Sequence, residues 1–128
     1  MGILIMSDEN VEFDCMVKAL CKSGAEIKEQ LTPFSAHLWH MSSCIQGEAG
    51  ELFDAIKKIA VYGRQGSELD IENIVEELGD IEFYMEGLRQ SLGITREQTI
   101  KSNMNKLSKR YSSGRYSNQQ AQDRADKK

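Results

Sequence analysis

The feature that most constrains this chain is an apolar repeat of helical period that runs through almost its whole length. A single proline and only 7% aromatic residues argue against a many-stranded β-sandwich, which needs frequent turns. Forty per cent of the 128 residues are apolar, which is enough for one hydrophobic core and argues against disorder. We therefore predict one all-α domain.

Helix breakers and capping residues set the first two helix boundaries. The first predicted helix runs from about Asp8 to Gln30, with Ser7 or Asp8 as its N-cap. Thr32 and Pro33 are placed to cap and open the next helix. This second predicted helix runs from about Pro33 to Tyr62.

Glycines and a capping motif set the remaining boundaries. A turn at residues 63–67 precedes a third predicted helix from about Glu68 to Leu92, which Gly93 ends. Residues 95–98 are typical of a capping box that opens a fourth helix through about Tyr111. Residues 1–111 are thus predicted to form one domain that resembles a four-helix bundle. Residues 112–128 would be a polar, basic tail or an arm that packs on something else.

Charge is divided unevenly along the chain. Residues 1–100 hold 8 Lys and Arg against 18 Asp and Glu, whereas residues 101–128 hold 8 against 2. An acidic body with a basic end can attract both a divalent cation and a polyanion, although a solvated basic tail is the simpler alternative. The overall charge of −4 disfavours a general nucleic-acid-binding protein.

The sequence contains no signal for membranes or for an oxidising compartment. No apolar run approaches the roughly 18 residues of a membrane span. The first six residues are too short for a signal peptide and lack a basic region. Three cysteines without a CxxC pair indicate a reduced protein, so we expect a cytoplasmic location.

Two pairs of acidic residues have matched spacing on the second and third predicted helices. Glu48 falls within the apolar stripe and Glu51 at its edge, three residues apart, so their side chains converge. Glu77 flanks the next stripe, with Asp80 three residues on and Tyr84 following on the same side. If these two helices are antiparallel, both pairs lie about 15 Å from the turn and meet at the same height.

Four facing carboxylates would repel one another unless a cation lay among them. Oxygen ligands in that number suit Mg²⁺ or Mn²⁺ rather than zinc. The alternative is that these acids are solvated charges on amphipathic helices. An iron–carboxylate bundle is disfavoured because it requires Glu-x-x-His repeats, and neither His37 nor His40 follows a glutamate in that way.

Other side chains near this acidic group allow more than one interpretation. His37, His40 and Cys44 share the stripe that leads to Glu48, and they fit the wall of a pocket or the core better than a soft-metal site. Lys58 lies on the same stripe, where it would form a salt bridge or reach a phosphate.

The fourth predicted helix carries a cationic face. Asn103, Lys106 and Arg110 recur at i, i+3 and i+7, and an amide, an ammonium and a guanidinium together suit phosphate oxygens. The alternative is a solvated helix end, where cations complement the helix dipole. The chain has no Walker loop and no glycine-rich Rossmann turn to hold phosphates by its backbone.

Three sequence blocks in order resemble the MazG-like branch of the all-α nucleoside triphosphate pyrophosphohydrolases, a superfamily that includes the dimeric dUTPases. These blocks are GEAGEL at residues 47–52, EELGDI at residues 76–81 and NxxKLxxRY at residues 103–111. The family signature is ExxE, a spacer and ExxD, and here 25 residues separate Glu51 from Glu77. The resemblance covers roughly residues 33–125.

The resemblance implies roles for particular residues. Glu48, Glu51, Glu77 and Asp80 would be the Mg²⁺ ligands. Phosphates would be held by Lys106 and Arg110 with help from Asn103, and the base and sugar pocket would be lined by Tyr84 and the His37–His40 stretch. A homodimer or a dimer of dimers is also implied. Glu82 departs from the pattern, because it points toward the predicted core face without a partner.

The implied reaction is Mg²⁺-dependent hydrolysis of a nucleoside triphosphate at the α–β bond, which gives a monophosphate and pyrophosphate. Glu48 or Glu51 would orient or deprotonate the attacking water. The alternative is a non-catalytic helical module that binds a nucleotide or a partner protein as a regulator. A purely structural bundle is a weaker third interpretation.

Overall fold

The computed structural model describes residues 8–61 and 69–128, and every regular element within them is helical, which confirms the all-α prediction. The helices are α1 Asp8–Leu20, α2 Gly24–Gln30, α3 Pro33–Ala60, α4 Ile71–Leu92, α5 Arg96–Arg110 and α6 Asn118–Asp123, followed by a 3₁₀ turn at Ala125–Lys127. The chain divides into two compact units, residues 1–36 and residues 37–128.

The first unit corrects the prediction of one helix from Asp8 to Gln30. The helix ends at Leu20 and a new one begins at Gly24, because Ser23 adopts an extended conformation and its hydroxyl accepts a hydrogen bond from the Glu26 backbone N–H at 3.1 Å. A serine cap stabilises a new helix start, and glycine is a poor residue for continuing the old one. The predicted cap at Ser7 lies outside the described residues.

The start of α3 confirms the predicted cap. Thr32 Oγ1 accepts a hydrogen bond from the Ser35 backbone N–H at 3.1 Å, and Ser35 Oγ accepts one from the Thr32 N–H at 2.9 Å. Pro33 is the first helical residue, where its missing N–H costs nothing. The helix ends at Ala60, and Val61 lies in a turn; Tyr62, the predicted end, lies outside the described residues.

In the second unit, α4 begins later than predicted. Asp70 is its N-cap and accepts from the Asn73 backbone N–H at 3.0 Å, so the helix starts at Ile71 rather than near Glu68. At the other end Gly93 adopts a left-handed conformation with φ of 66°, as a helix-terminating glycine should. The turn predicted at residues 63–67 lies outside the described residues.

The predicted capping box opens α5. The Gln98 backbone N–H donates to Thr95 Oγ1 at 3.1 Å, and the Thr95 N–H donates to Gln98 Oε1 at 2.8 Å. The capping box therefore satisfies two backbone N–H groups at this helix start. The helix then continues to Arg110, one residue before the predicted end.

Packing in the second unit centres on Met41 of α3 and Arg89 of α4, the two deeply buried side chains among the described residues. A Cβ atom added at Gly87 would lie 2.7 Å from Met41 Sδ, so glycine permits this close approach. Arg89 is held by Glu86, with Nε 2.8 Å from Oε2. Along the apolar stripe of α4, Ile71 and Leu78 are exposed, whereas the other members are half-buried (Ile74, Ile81, Met85 and Leu88).

The expectation that Glu82 faces the core is wrong. Its side chain is exposed to solvent, where a carboxylate without a partner keeps its hydration. Phe83, the next residue, is 69% exposed, so the described residues leave this side of α4 uncovered.

The C-terminal residues contact α5. The guanidinium of Arg110 binds the Asp126 carboxylate through two hydrogen bonds, Nε to Oδ1 at 2.7 Å and Nη2 to Oδ2 at 3.0 Å. The Asp126 side chain is 1% exposed and that of Arg110 is 18% exposed. This pair holds the end of the chain against the last turn of α5.

Candidate metal centre

Three carboxylates from two helices meet in the second unit. Glu48 and Glu51 lie one turn apart on α3, and Glu77 lies on α4; each offers an oxygen, and these three oxygens lie within 4.8 Å of one another. Glu48 and Glu77 are half-buried and Glu51 is exposed. We call this group the carboxylate trio. Its members are three of the four residues that the acidic pattern predicts.

Two oxygens of the trio are buried without a partner. Glu48 Oε2 and Glu77 Oε2 are inaccessible to solvent and accept no hydrogen bond from the described residues. A buried carboxylate oxygen without a donor is energetically costly. A cation among the three carboxylates would satisfy both oxygens, and hard oxygen donors are the ligands that Mg²⁺ and Mn²⁺ prefer.

The pKa of Glu77 also favours a cation at the trio. Burial, followed by the close approach of the Glu48 and Glu51 carboxyl groups, raises the pKa of the Glu77 carboxyl to about 7. Negative charge is therefore unfavourable here when no cation is present. The same crowding makes the site attractive to a divalent ion, which would compete with protons for it.

Asp80, the fourth predicted ligand, is exposed and lies outside the trio. It follows Glu77 by three residues on α4, and its charge contributes to raising the pKa of Tyr84. Its role as a ligand therefore stays a prediction.

An aromatic and sulfur group lies beside the trio. The pKa of the Tyr84 hydroxyl is raised, chiefly by its interaction with the Cys44 thiol, and the charge of Glu48 acts in the same direction. The His40 ring lies 6.4 Å from the Tyr84 ring, between centroids. The pattern of the sequence placed His40 and Cys44 on the stripe toward Glu48. It did not predict the contact of Cys44 with Tyr84, which depends on how α3 and α4 pack.

The other predicted binding residues are mostly solvent-exposed. His37 and Lys58 on α3, and Asn103 and Lys106 on α5, are exposed, and neither lysine forms an ion pair within the described part of the chain. Arg110 is instead engaged by Asp126, a partner 16 residues away that no local motif indicated. The binding roles of these residues stay predictions.

Comparison with known proteins gives one family match. The family model for the MazG nucleotide pyrophosphohydrolase domain matches residues 38–114, a range that includes the whole trio and α5. The chain therefore belongs to the MazG nucleotide pyrophosphohydrolase family. No match was found among curated proteins or among solved structures. Over the described residues, no helix has the length and hydropathy that a bilayer span requires.

Proposed function

We propose that this protein hydrolyses nucleoside triphosphates at the α–β phosphoanhydride bond, giving a nucleoside monophosphate and pyrophosphate. The observation that carries the proposal is the carboxylate trio with two unpartnered buried oxygens, in a chain of the MazG family. Glu48, Glu51 and Glu77 would hold Mg²⁺, or Mn²⁺ as a substitute. Asp80 would complete the ligand set from the next turn of α4.

The metal would polarise phosphoryl oxygens and lower the pKa of a water molecule. The chain's own residues then supply orientation and proton transfer. Glu51 is the exposed member of the trio, so its carboxylate is the one best placed to orient a water or accept its proton. Glu48 is half-buried and is the second candidate for this role.

Phosphate and base recognition complete the proposal. Lys106 and Asn103 on α5 offer exposed donors for phosphate oxygens. Arg110 would have to exchange Asp126 for a phosphate before it could contribute. Lys58 on α3 would reach a phosphate or form a salt bridge. On the nucleoside side, the proposed contacts are Tyr84, His40 and His37.

The order of contacts supports an antiparallel arrangement of α3 and α4. Met41 approaches Gly87, His40 lies near Tyr84, and Glu48 lies near Glu77, so later residues on α3 meet earlier residues on α4. In an antiparallel pair, the two acidic motifs lie at the same level along the helix axes.

Exposed apolar residues support a homodimer or a homotetramer. On α4 alone, Ile71, Val75, Leu78 and Phe83 are 59%, 61%, 48% and 69% exposed. Apolar surface of this kind is typical of helices that are covered by another subunit. A cytoplasmic location, one domain over residues 1–111 and a C-terminal arm over residues 112–128 are also part of the proposal.

Product analysis tests the reaction directly. The purified protein would be incubated with ribo- and deoxyribonucleoside triphosphates and Mg²⁺, and the products identified by ³¹P NMR, with Glu51→Gln alongside. We expect monophosphate and pyrophosphate from the wild type only. Diphosphate with orthophosphate would refute the bond assignment. Nucleotide binding without any product would favour the non-catalytic regulatory module.

A further inference from the structure

A second concave site lies at the C-terminal end of α5, and it shares no residue with the carboxylate trio. It is a cavity of about 440 Å³, and its lining residues are Leu107, Ser108, Tyr111, Ser112, Gly114, Arg115 and Tyr116. We call it the tyrosine pocket. Its volume lies within the range of small-molecule sites, about 300–1,000 Å³.

Two aromatic rings form the apolar part of the tyrosine pocket. The rings of Tyr111 and Tyr116 lie 5.7 Å apart between centroids and are inclined by 40°. Tyr116 is 73% exposed, so most of its ring surface is accessible, and its hydroxyl donates to Asn118 Oδ1 at 2.8 Å. Leu107 adds aliphatic surface beside them. Exposed tyrosine rings provide stacking surfaces for planar groups such as nucleobases.

A positively charged side chain, that of Arg115, also lines the tyrosine pocket. The guanidinium of Arg115 forms no hydrogen bond or ion pair with any described residue, in contrast to Arg89 and Arg110, which each hold a carboxylate. A guanidinium offers a planar pair of donors that matches phosphate oxygens. The pocket therefore combines ring faces with an available phosphate-binding group.

Side-chain hydrogen bonds hold the loop that forms the pocket. The Gln120 side-chain amide donates to Ser112 Oγ at 3.1 Å and accepts from Ser113 Oγ at 3.2 Å. Gly114, with φ of 74°, closes a turn through its N–H to the Tyr111 carbonyl at 2.9 Å. A loop fixed in this way loses little conformational entropy when a ligand binds.

We propose that the tyrosine pocket binds a nucleoside monophosphate without a divalent cation. The base stacks on Tyr111 and Tyr116, and the phosphate binds Arg115. This proposal does not depend on hydrolysis at the trio. It assigns a ligand to the C-terminal segment, which has no role in the proposed reaction.

Calorimetric titration with AMP in the presence of EDTA tests this proposal. We expect binding to the wild type, and a loss of about tenfold or more in affinity for Tyr116→Leu and for Arg115→Gln. Tyr116→Phe keeps the ring and should bind as the wild type does. Lys101→Gln removes an equal charge from α5 outside the pocket and should also bind normally. Both pocket residues are exposed, and unchanged melting temperatures would show that the variants fold.

Several results would overturn the proposal. One is AMP binding that requires Mg²⁺ and disappears in Glu51→Gln, since the ligand would then occupy the trio. Another is an equal loss in Lys101→Gln, which would indicate diffuse attraction to basic residues. Inorganic phosphate that binds as tightly as AMP would exclude base stacking. A lower oligomer mass in sedimentation for Tyr116→Leu would show that a second copy of the chain fills the pocket.

Discussion

The guanidinium of Arg110 and the carboxylate of Asp126 form a two-point ion pair across 16 residues of sequence, with Asp126 almost inaccessible to solvent. The hydrogen bonds from Arg110 are the main cause that lowers the pKa of Asp126 to about 2. The pair joins the C-terminal residues to α5. It also engages the side chain that the family resemblance assigns to a phosphate.

Asp126→Asn should release the C-terminal residues from α5. An amide cannot replace a carboxylate against both guanidinium donors, so we expect faster amide hydrogen exchange over residues 118–128. Asp123→Asn is the matched control, because Asp123 accepts only from Gln119 within its own helix. In the wild type, the contribution of Asp126 to stability is present above its unfolded pKa of 3.8 and is lost as the pH falls through about 2. Equal exchange rates in the two variants would contradict the anchoring role.

The carboxylate trio should make the metal-free protein less stable as the pH rises. The pKa of Glu77 is about 7 when folded and 4.5 as its ordinary value, so between these values the folded state binds more protons than the unfolded state. The stabilisation from protonated Glu77 is therefore full below about pH 4.5 and is lost as the pH rises through about 7. We expect the difference in melting temperature between Glu77→Gln and the wild type in EDTA to grow in favour of the variant from pH 5 to pH 8. A difference that does not change with pH would contradict this assignment.

Glu51→Gln should remove hydrolysis and weaken metal binding without unfolding the helices. Loss of a general base typically costs about 10²–10⁴-fold in rate. Mg²⁺ at about 100 times its Kd should stabilise the wild type by about 2.7 kcal/mol, and the variant by much less. Asp54→Asn, an exposed acid three residues along α3 and outside the trio, should behave as the wild type in both assays. Undiminished turnover in Glu51→Gln would refute the proposed site.

Two glycine-to-alanine variants should differ in stability because of Met41. At Gly50 a new Cβ meets no atom within 4 Å, whereas at Gly87 it would lie 2.7 Å from Met41 Sδ. Gly50→Ala should gain about 1 kcal/mol from helix propensity. Gly87→Ala should be less stable than Gly50→Ala by about 1–3 kcal/mol, because Met41 must move. Urea unfolding measures both, and equal stabilities would show that Met41 adapts without cost.

Local sequence signals predicted most helix ends correctly. Thr32 with Pro33, Gly93, and Thr95 with Gln98 each act within one turn of chain, so the residues themselves determine the boundary. The break at Ser23 carries the same kind of cap, which the prediction of one helix from Asp8 to Gln30 did not take into account. The hydrophobic periodicity alone therefore does not show where one helix ends and the next begins.

The helical spacing of the acidic residues also predicted that the three residues of the carboxylate trio lie close together. Glu48 and Glu51 converge because they lie three residues apart on one helix, and Glu77 joins them once α3 and α4 pack. Contacts set by the return of the chain were not predictable. Asp126 reaches Arg110 only because the last residues fold back onto α5, and no repeat or spacing encodes that.

The trio draws two carboxylates from α3 and one from α4. A bound cation would therefore add a link between two stretches of chain that are joined covalently between Val61 and Leu69 and packed together at Met41 and Gly87. This makes the protein a candidate for metal-dependent complementation. Two peptides that cover residues 8–61 and 69–128 should associate more tightly with Mg²⁺ than with EDTA. A split reporter built at this point would then sense divalent ions through reassembly of the two halves.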